Sequence, residues 1–127
     1  MKKIVFVLVF FMGVGFINAQ SGLTEVTSAL KSGNAKALSV YFHSSIDLTI
    51  KQTEGTYSKS QAEYVIHNFF NSNKPTAFKV NHSGSSSDGA KYVIGSLESS
   101  GGTYRVYMLF KSISGKELIQ TMSFESN

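Results

Sequence analysis

The sequence has no cysteine, no tryptophan and a single proline, and only 16% of its 127 residues are charged. Without cysteine there is no disulfide framework, no thiolate zinc site and no cysteine nucleophile. Charge of either sign is sparse. Twelve Lys and Arg against eight Asp and Glu give +4, and Lys2 and Lys3 lie in a segment expected to be removed, which leaves +2. The remaining lysines are scattered from Lys31 to Lys116, whereas a nucleic-acid surface wants clustered cations over stacking aromatics. No Gly-x-Gly-x-x-Gly cradle opens a helix and no Gly-x-Ser-x-Gly elbow occurs. A chain this short holds one domain.

Long hydrophobic runs are also missing, with one short exception at the start. Lys2-Lys3 precedes an apolar run from Ile4 to Ile17, and the small Ala19 follows before Gln20. A basic start, an apolar stretch and a small residue are the three parts of a secretory signal peptide. The run is shorter than the roughly 20 residues a membrane-spanning helix needs. Cleavage near Ala19 is expected, with residues 20–127 as an exported domain that has no membrane span.

Within that domain three segments carry helical period. Leu23, Val26, Ala29 and Leu30 form the first, stopped by Gly33. Asn34 caps a second, with Leu38, Tyr41 and Phe42 on one side and His43 at its end. Ser58-Lys59-Ser60-Gln61 reads as a capping box, followed by a stripe of Ala62, Val65, Ile66, Phe69 and Phe70 up to Pro75. The rest alternates. Ile46, Leu48 and Ile50 mark a half-buried strand, and an extended piece around Gly55-Thr56-Tyr57 pairs with it. Four longer strands follow at Ala77–Ser85, Ala90–Ser99, Thr103–Ile113 and Lys116–Phe124, linked by Asp88-Gly89, Gly101-Gly102 and Ser114-Gly115 turns. The order is α-α-β-β-α-β-β-β-β, an α+β domain with an antiparallel meander.

Counting alternate residues assigns two faces to the meander. One holds Phe78, His82, Tyr92, Glu98, Tyr104, Gln120 and Phe124, and is expected against the helices. The other holds Val93, Leu97, Arg105, Tyr107, Leu109 and Ile119 among lysines. That second face is more apolar than a solvated sheet requires, so it is expected to form a homodimer.

Four stretches carry a resemblance: Leu30–Leu38, Gly55–Glu63, Asp88–Gly95 and Gly102–Tyr107. They resemble a family of small exported bacterial proteins of unknown function within the nuclear transport factor 2-like (cystatin-like) superfamily. The resemblance implies a curved sheet wrapped on a long helix to form a cone, a pocket at its open end, and frequent dimers. That superfamily includes ketosteroid isomerases, dehydratases and polyketide cyclases beside non-catalytic members, so fold leaves function open.

Isomerase chemistry of that type needs a carboxylate base in an apolar pocket and an acid to hold the oxyanion, and a histidine can also act as a general base near neutral pH. His82 or Glu98 as base, with Tyr92 or Tyr104 as acid, are the available residues. His43, His67 and His82 share no ligand spacing, and no metal or cofactor is expected. The favoured expectation is a non-catalytic binding or interaction module, with His82, Tyr92, Tyr104 and Gln120 as polar tips toward a small apolar ligand, or an envelope protein as partner. The isomerase or lyase is the alternative.

Overall fold

The structure, a computed structural model, describes residues 21–127; the segment expected to be a leader lies outside them. Helix α1 (Ser21–Ser32) buries Val26, Ala29 and Leu30. It stops where Gly33 takes φ 69°, a left-handed turn that glycine adopts without steric cost. Two bonds close the end, Gly33 N–H to Leu30 O (3.2 Å) and Asn34 N–H to Ala29 O (2.9 Å), satisfying carbonyls the helix would leave orphaned. Asn34 then caps the short α2 (Ala35–Ser39), its side chain accepting from Ala37 N–H. His43 falls after this helix, in strand β1 (Phe42–Ile50), rather than at the helix end. Helix α3 (Lys59–Ser72) opens with the expected reciprocal box: Ser58 Oγ accepts from Gln61 N–H at 3.3 Å, and Gln61 Oε1 accepts from Ser58 N–H at 3.1 Å.

The other strands are β2 (Thr53–Ser58), β3 (Pro75–Ser85), β4 (Lys91–Ser99), β5 (Gly102–Ile113) and β6 (Lys116–Ser126). They form one sheet in the order β2-β1-β6-β5-β4-β3. Neighbours are antiparallel except β1 and β6, which run parallel and join the first hairpin to the meander. The sheet is curved and unclosed. Helices lie on its inner face, α1 mainly against β3 and α3 against β1 and β2. The core between them holds Leu30, Leu38, Phe42, Ile46, Leu48, Ile66, Leu97, Met108, Met122 and Phe124. Among the described residues no helix is long and apolar enough to cross a membrane.

The assignment of faces requires correction on three strands, and the causes are local. Ser99 pairs with Gly102 across a two-residue loop, which joins odd positions of β4 to even positions of β5: Leu97 opposes Tyr104 and Val93 opposes Met108. Opposed residues share a face. Val93 and Leu97, expected on a dimer surface, are therefore in the core, and Tyr92, Ile94, Ser96 and Glu98 point outward. In β3 the register shifts between Val80 and His82. Phe78 thus stays inside opposite Leu97, while His82 turns outward opposite Ile94. In β6 the pairing slips between Leu109 and Phe110, leaving Gln120 without a partner in the ladder. One extra residue reverses every side chain beyond it. Ile119 consequently joins the core opposite Phe110, Gln120 sits half-buried in the bulge, and Met122 and Phe124 remain inside. Arg105, Tyr107 and Leu109 lie on the outer face.

Candidate functional site

The residues proposed for chemistry divide between the two sides of the sheet. His82 and Tyr92 do meet: His82 Nε2 lies 3.0 Å from the Tyr92 hydroxyl. Their rings are 5.6 Å apart and tilted by 46°. They do so on the outer face, where His82 is exposed. The pairing depends on Gly84, the residue opposite Tyr92, because a Cβ there would stand 2.7 Å from the tyrosine ring. Glu98 is also outside, exposed beside the β4–β5 turn. Tyr104 is 3% exposed on the inner face. The sheet itself separates it from His82, Tyr92 and Glu98, so base and acid do not converge on one cavity.

Tyr104 instead belongs to a polar junction that residue patterns did not mark. Its hydroxyl donates to Asn73 Oδ1 at 2.8 Å, and Asn73 Nδ2 donates to Phe69 O at 3.1 Å. Asn73 is 6% exposed, yet both ends of its amide are satisfied, as a buried polar group requires. Lys74 and Ser100 exchange two further bonds, N–H to Oγ at 3.0 Å and O from N–H at 2.9 Å. Gly101 completes the junction: a Cβ there would come within 1.8 Å of Asn73 Oδ1. One cap residue thus ties the end of α3 to the β4–β5 hairpin.

The interior between α3 and the sheet is filled by rings. Phe69 packs at 5.0 Å against Tyr104 and 4.9 Å against Phe124, and Phe70 lies 6.1 Å from Phe124. Space opens only beyond them, as a groove of about 420 Å³ between the C-terminal half of α3 and the β1–β2 hairpin. Its wall is Leu48, Ile50, Val65 and Phe69; Thr53, Tyr57, Asn68, Ser72 and Asn73 supply polar atoms, and Lys51 is its one charged residue. Tyr57 leans along its own strand over Gly55, where a Cβ would stand 2.9 Å from the phenol oxygen. The tyrosine ring can lie in the groove because that neighbour has no side chain.

A smaller groove of about 320 Å³ lies between the start of α1 and one end of strands β4, β5 and β6, with Leu23, Tyr41, Val93 and Phe110 around it and the Lys91–Glu117 ion pair (3.1 Å) at its rim. Tyr41 is hydrogen-bonded to Glu25, and that bond, with burial and the carboxylate charge, raises the phenol above its ordinary value of 10.0. On the β3–β4 loop the Ser86 hydroxyl and the Ala90 N–H hold Asp88 below the usual carboxylate range. Among the described residues no group of three or more His, Asp or Glu is placed to hold a metal ion.

Comparison with known proteins accords with this architecture. A crystal structure of a DUF4783 family protein from Bacteroides uniformis is 31% identical, with TM-score 0.78 over 82% of this chain and 95% of that one. A domain of unknown function with a cystatin-like fold from Nostoc punctiforme is 8% identical, with TM-score 0.67 over 87% of this chain and 75% of that one. A nuclear transport factor 2-like protein of unknown function from Cytophaga hutchinsonii is 12% identical, with TM-score 0.59 over 83% of this chain and 86% of that one. The latter two share the fold alone. No curated protein matches. The model of the domain of unknown function DUF4783 matches residues 23–125. The chain belongs to that family, and its fold is the nuclear transport factor 2-like (cystatin-like) α+β fold.

Proposed function

We propose that this protein is an exported, non-catalytic binding module that holds a small amphipathic ligand in the groove between α3 and the β1–β2 hairpin. The observation that carries this reading is the form of that groove: an apolar wall of Leu48, Ile50, Val65 and Phe69 facing neutral polar groups, with one cation, Lys51, at the hairpin turn. A ligand with a short apolar body and a single anionic or polar end fits such a lining. His82 and Glu98, the candidate bases, lie on the far side of the sheet from the groove. An isomerase reading would need a base inside it.

The test uses decanoate as the probe, with amide NMR shifts recorded on the full chain. Saturable shifts at Leu48, Ile50, Val65 and Asn68, lost in Val65→Arg and weakened in Lys51→Glu, are expected. Shifts scattered over the whole surface, or none up to about 1 mM probe, would overturn the reading.

A further inference from the structure

The groove between α3 and the β1–β2 hairpin continues past its own wall at both ends. Tyr57 and Val65 form a ridge, and on its far side a second hollow of about 340 Å³ runs toward the start of α3, between Tyr57, Ser60, Gln61 and Tyr64. Gln61, Val65, Asn68 and Ser72 fall three or four residues apart, so they line one flank of the helix, and the two hollows lie end to end along it. From Ser60 to Asn73 that flank is roughly 20 Å long, more than an extended decanoate spans. Tyr64, 68% exposed, stands at the far end with its ring uncovered. At the near end Lys51 N–H donates to Phe124 O at 2.7 Å, which holds the hairpin turn against the end of β6. A third, polar hollow opens there, shared by Lys51, Gln52, Thr53, Glu125 and Ser126. One cation and one anion therefore stand around a single mouth. Neither is in an ion pair among the described residues, although Glu125 lies opposite Arg105 in the ladder. Lys51 also takes φ 60°, a backbone conformation that glycine adopts without steric cost and lysine does not.

We infer that the ligand of this groove is a single-chain phospholipid with a zwitterionic head, its tail laid along α3 past the Tyr57–Val65 ridge and its head at Lys51 and Glu125. The inference rests on the groove reading above and narrows it. The apolar wall together with the Tyr57 and Tyr64 rings offers cover to a longer tail than the first hollow holds, and each methylene taken out of water adds affinity. The head has to satisfy both charges. Its phosphate accepts from the Lys51 ammonium, and the ammonium beyond that phosphate faces the Glu125 carboxylate. A plain fatty acid would set its carboxylate beside Glu125 with no cation of its own to offset the repulsion. Lysine at a turn position where glycine would be less strained is accounted for by the charge it supplies to that mouth.

Titration calorimetry of the full chain tests it, with decanoate, decylphosphocholine and tetradecylphosphocholine as probes, each below its micelle concentration. The tetradecyl lipid is expected to bind at least about tenfold more tightly than the decyl lipid, less than full burial of the added methylenes would give. Tyr64→Glu removes that gain and leaves decylphosphocholine binding as it was. Glu125→Gln weakens decylphosphocholine about tenfold and spares decanoate, which has no cation. Lys51→Gly weakens both, yet raises the melting temperature, because glycine relieves the turn. All three positions are exposed, and unchanged circular dichroism shows that the variants fold. Equal affinity for the two chain lengths, a gain that survives Tyr64→Glu, or decylphosphocholine binding indifferent to Glu125→Gln or Lys51→Gly would each overturn the inference. If decanoate still shifts the groove amides in such a case, the groove reading stands without it; if decanoate binds nowhere, both fall.

Discussion

At the scale of single residues, two atoms of Asn73 decide how α3 meets the hairpin beyond it. The Tyr104 hydroxyl and the Phe69 carbonyl use the amide completely, and Gly101 leaves the space in which it sits. Gly101→Ala is expected to displace the amide and destabilise the protein by about 1–3 kcal/mol, since a buried polar group would lose its partners. A urea melt with unchanged slope would show it; a loss below about 0.5 kcal/mol would mean the junction yields freely. Tyr41 offers a second test. Its pKa is raised by the Glu25 hydrogen bond first, then by burial and the carboxylate charge. The stabilisation linked to it is therefore fully present below the unfolded value of 10.0 and is lost as pH climbs through the raised folded value. Ultraviolet titration of the phenolate should find Tyr41 ionising late in wild type, and earlier in Glu25→Gln. Identical titrations in the two proteins would disprove the coupling.

At the scale of elements, signals written into adjacent residues were legible in the sequence. The Ser58/Gln61 box, the Asn34 cap and the Gly33 stop each need only a few neighbouring residues, so local chemistry dictates them. Ser58→Ala is expected to cost about 1 kcal/mol. Adding Gln61→Ala should cost less than its separate effect, because the two bonds cooperate in one box. Thermal melts of the two single variants and the double variant form the cycle; strict additivity would argue against it. Strands behaved differently. Their extents came within a few residues of expectation, and so did the faces of β1 and β5, but those of β3, β4 and β6 did not: the register shift between Val80 and His82 in β3 and the bulge in β6 each invert the side chains beyond them. The β4 reversal was in principle readable. A two-residue hairpin loop necessarily opposes an odd position to an even one, so Tyr92 and Tyr104 cannot share a face across it.

At the scale of the whole molecule, that inversion moves the candidate site. Val93, Leu97 and Ile119 become core, and His82, Tyr92 and Glu98 become surface. The consequence is measurable without knowing any ligand. Leu97→Glu buries an unpaired charge at a position with 0% exposure and should abolish folding, at more than about 4 kcal/mol. Ile94→Glu, three residues earlier on the other face, should leave the monomer folded with a change of about 1 kcal/mol or less. Circular dichroism of the pair reads the outcome, and the opposite ranking would restore the original faces. The ring-filled interior has a similar origin. Phe69 and Phe70 are separated from Tyr104 and Phe124 by long stretches of chain, and no short-range pattern announces that they meet.

What the sequence by itself determined is what depends on short separations: the absence of cysteine chemistry, the helices with their caps, the order of the strands, and the family resemblance carried by contiguous motifs. Tertiary structure alone decided which side of each strand faces the helices, how Asn73 and Tyr104 find each other, and where open space remains. The physical reason is the two-residue period of a strand: a single unpaired residue, placed by packing with distant partners, changes inside to outside for every residue that follows it.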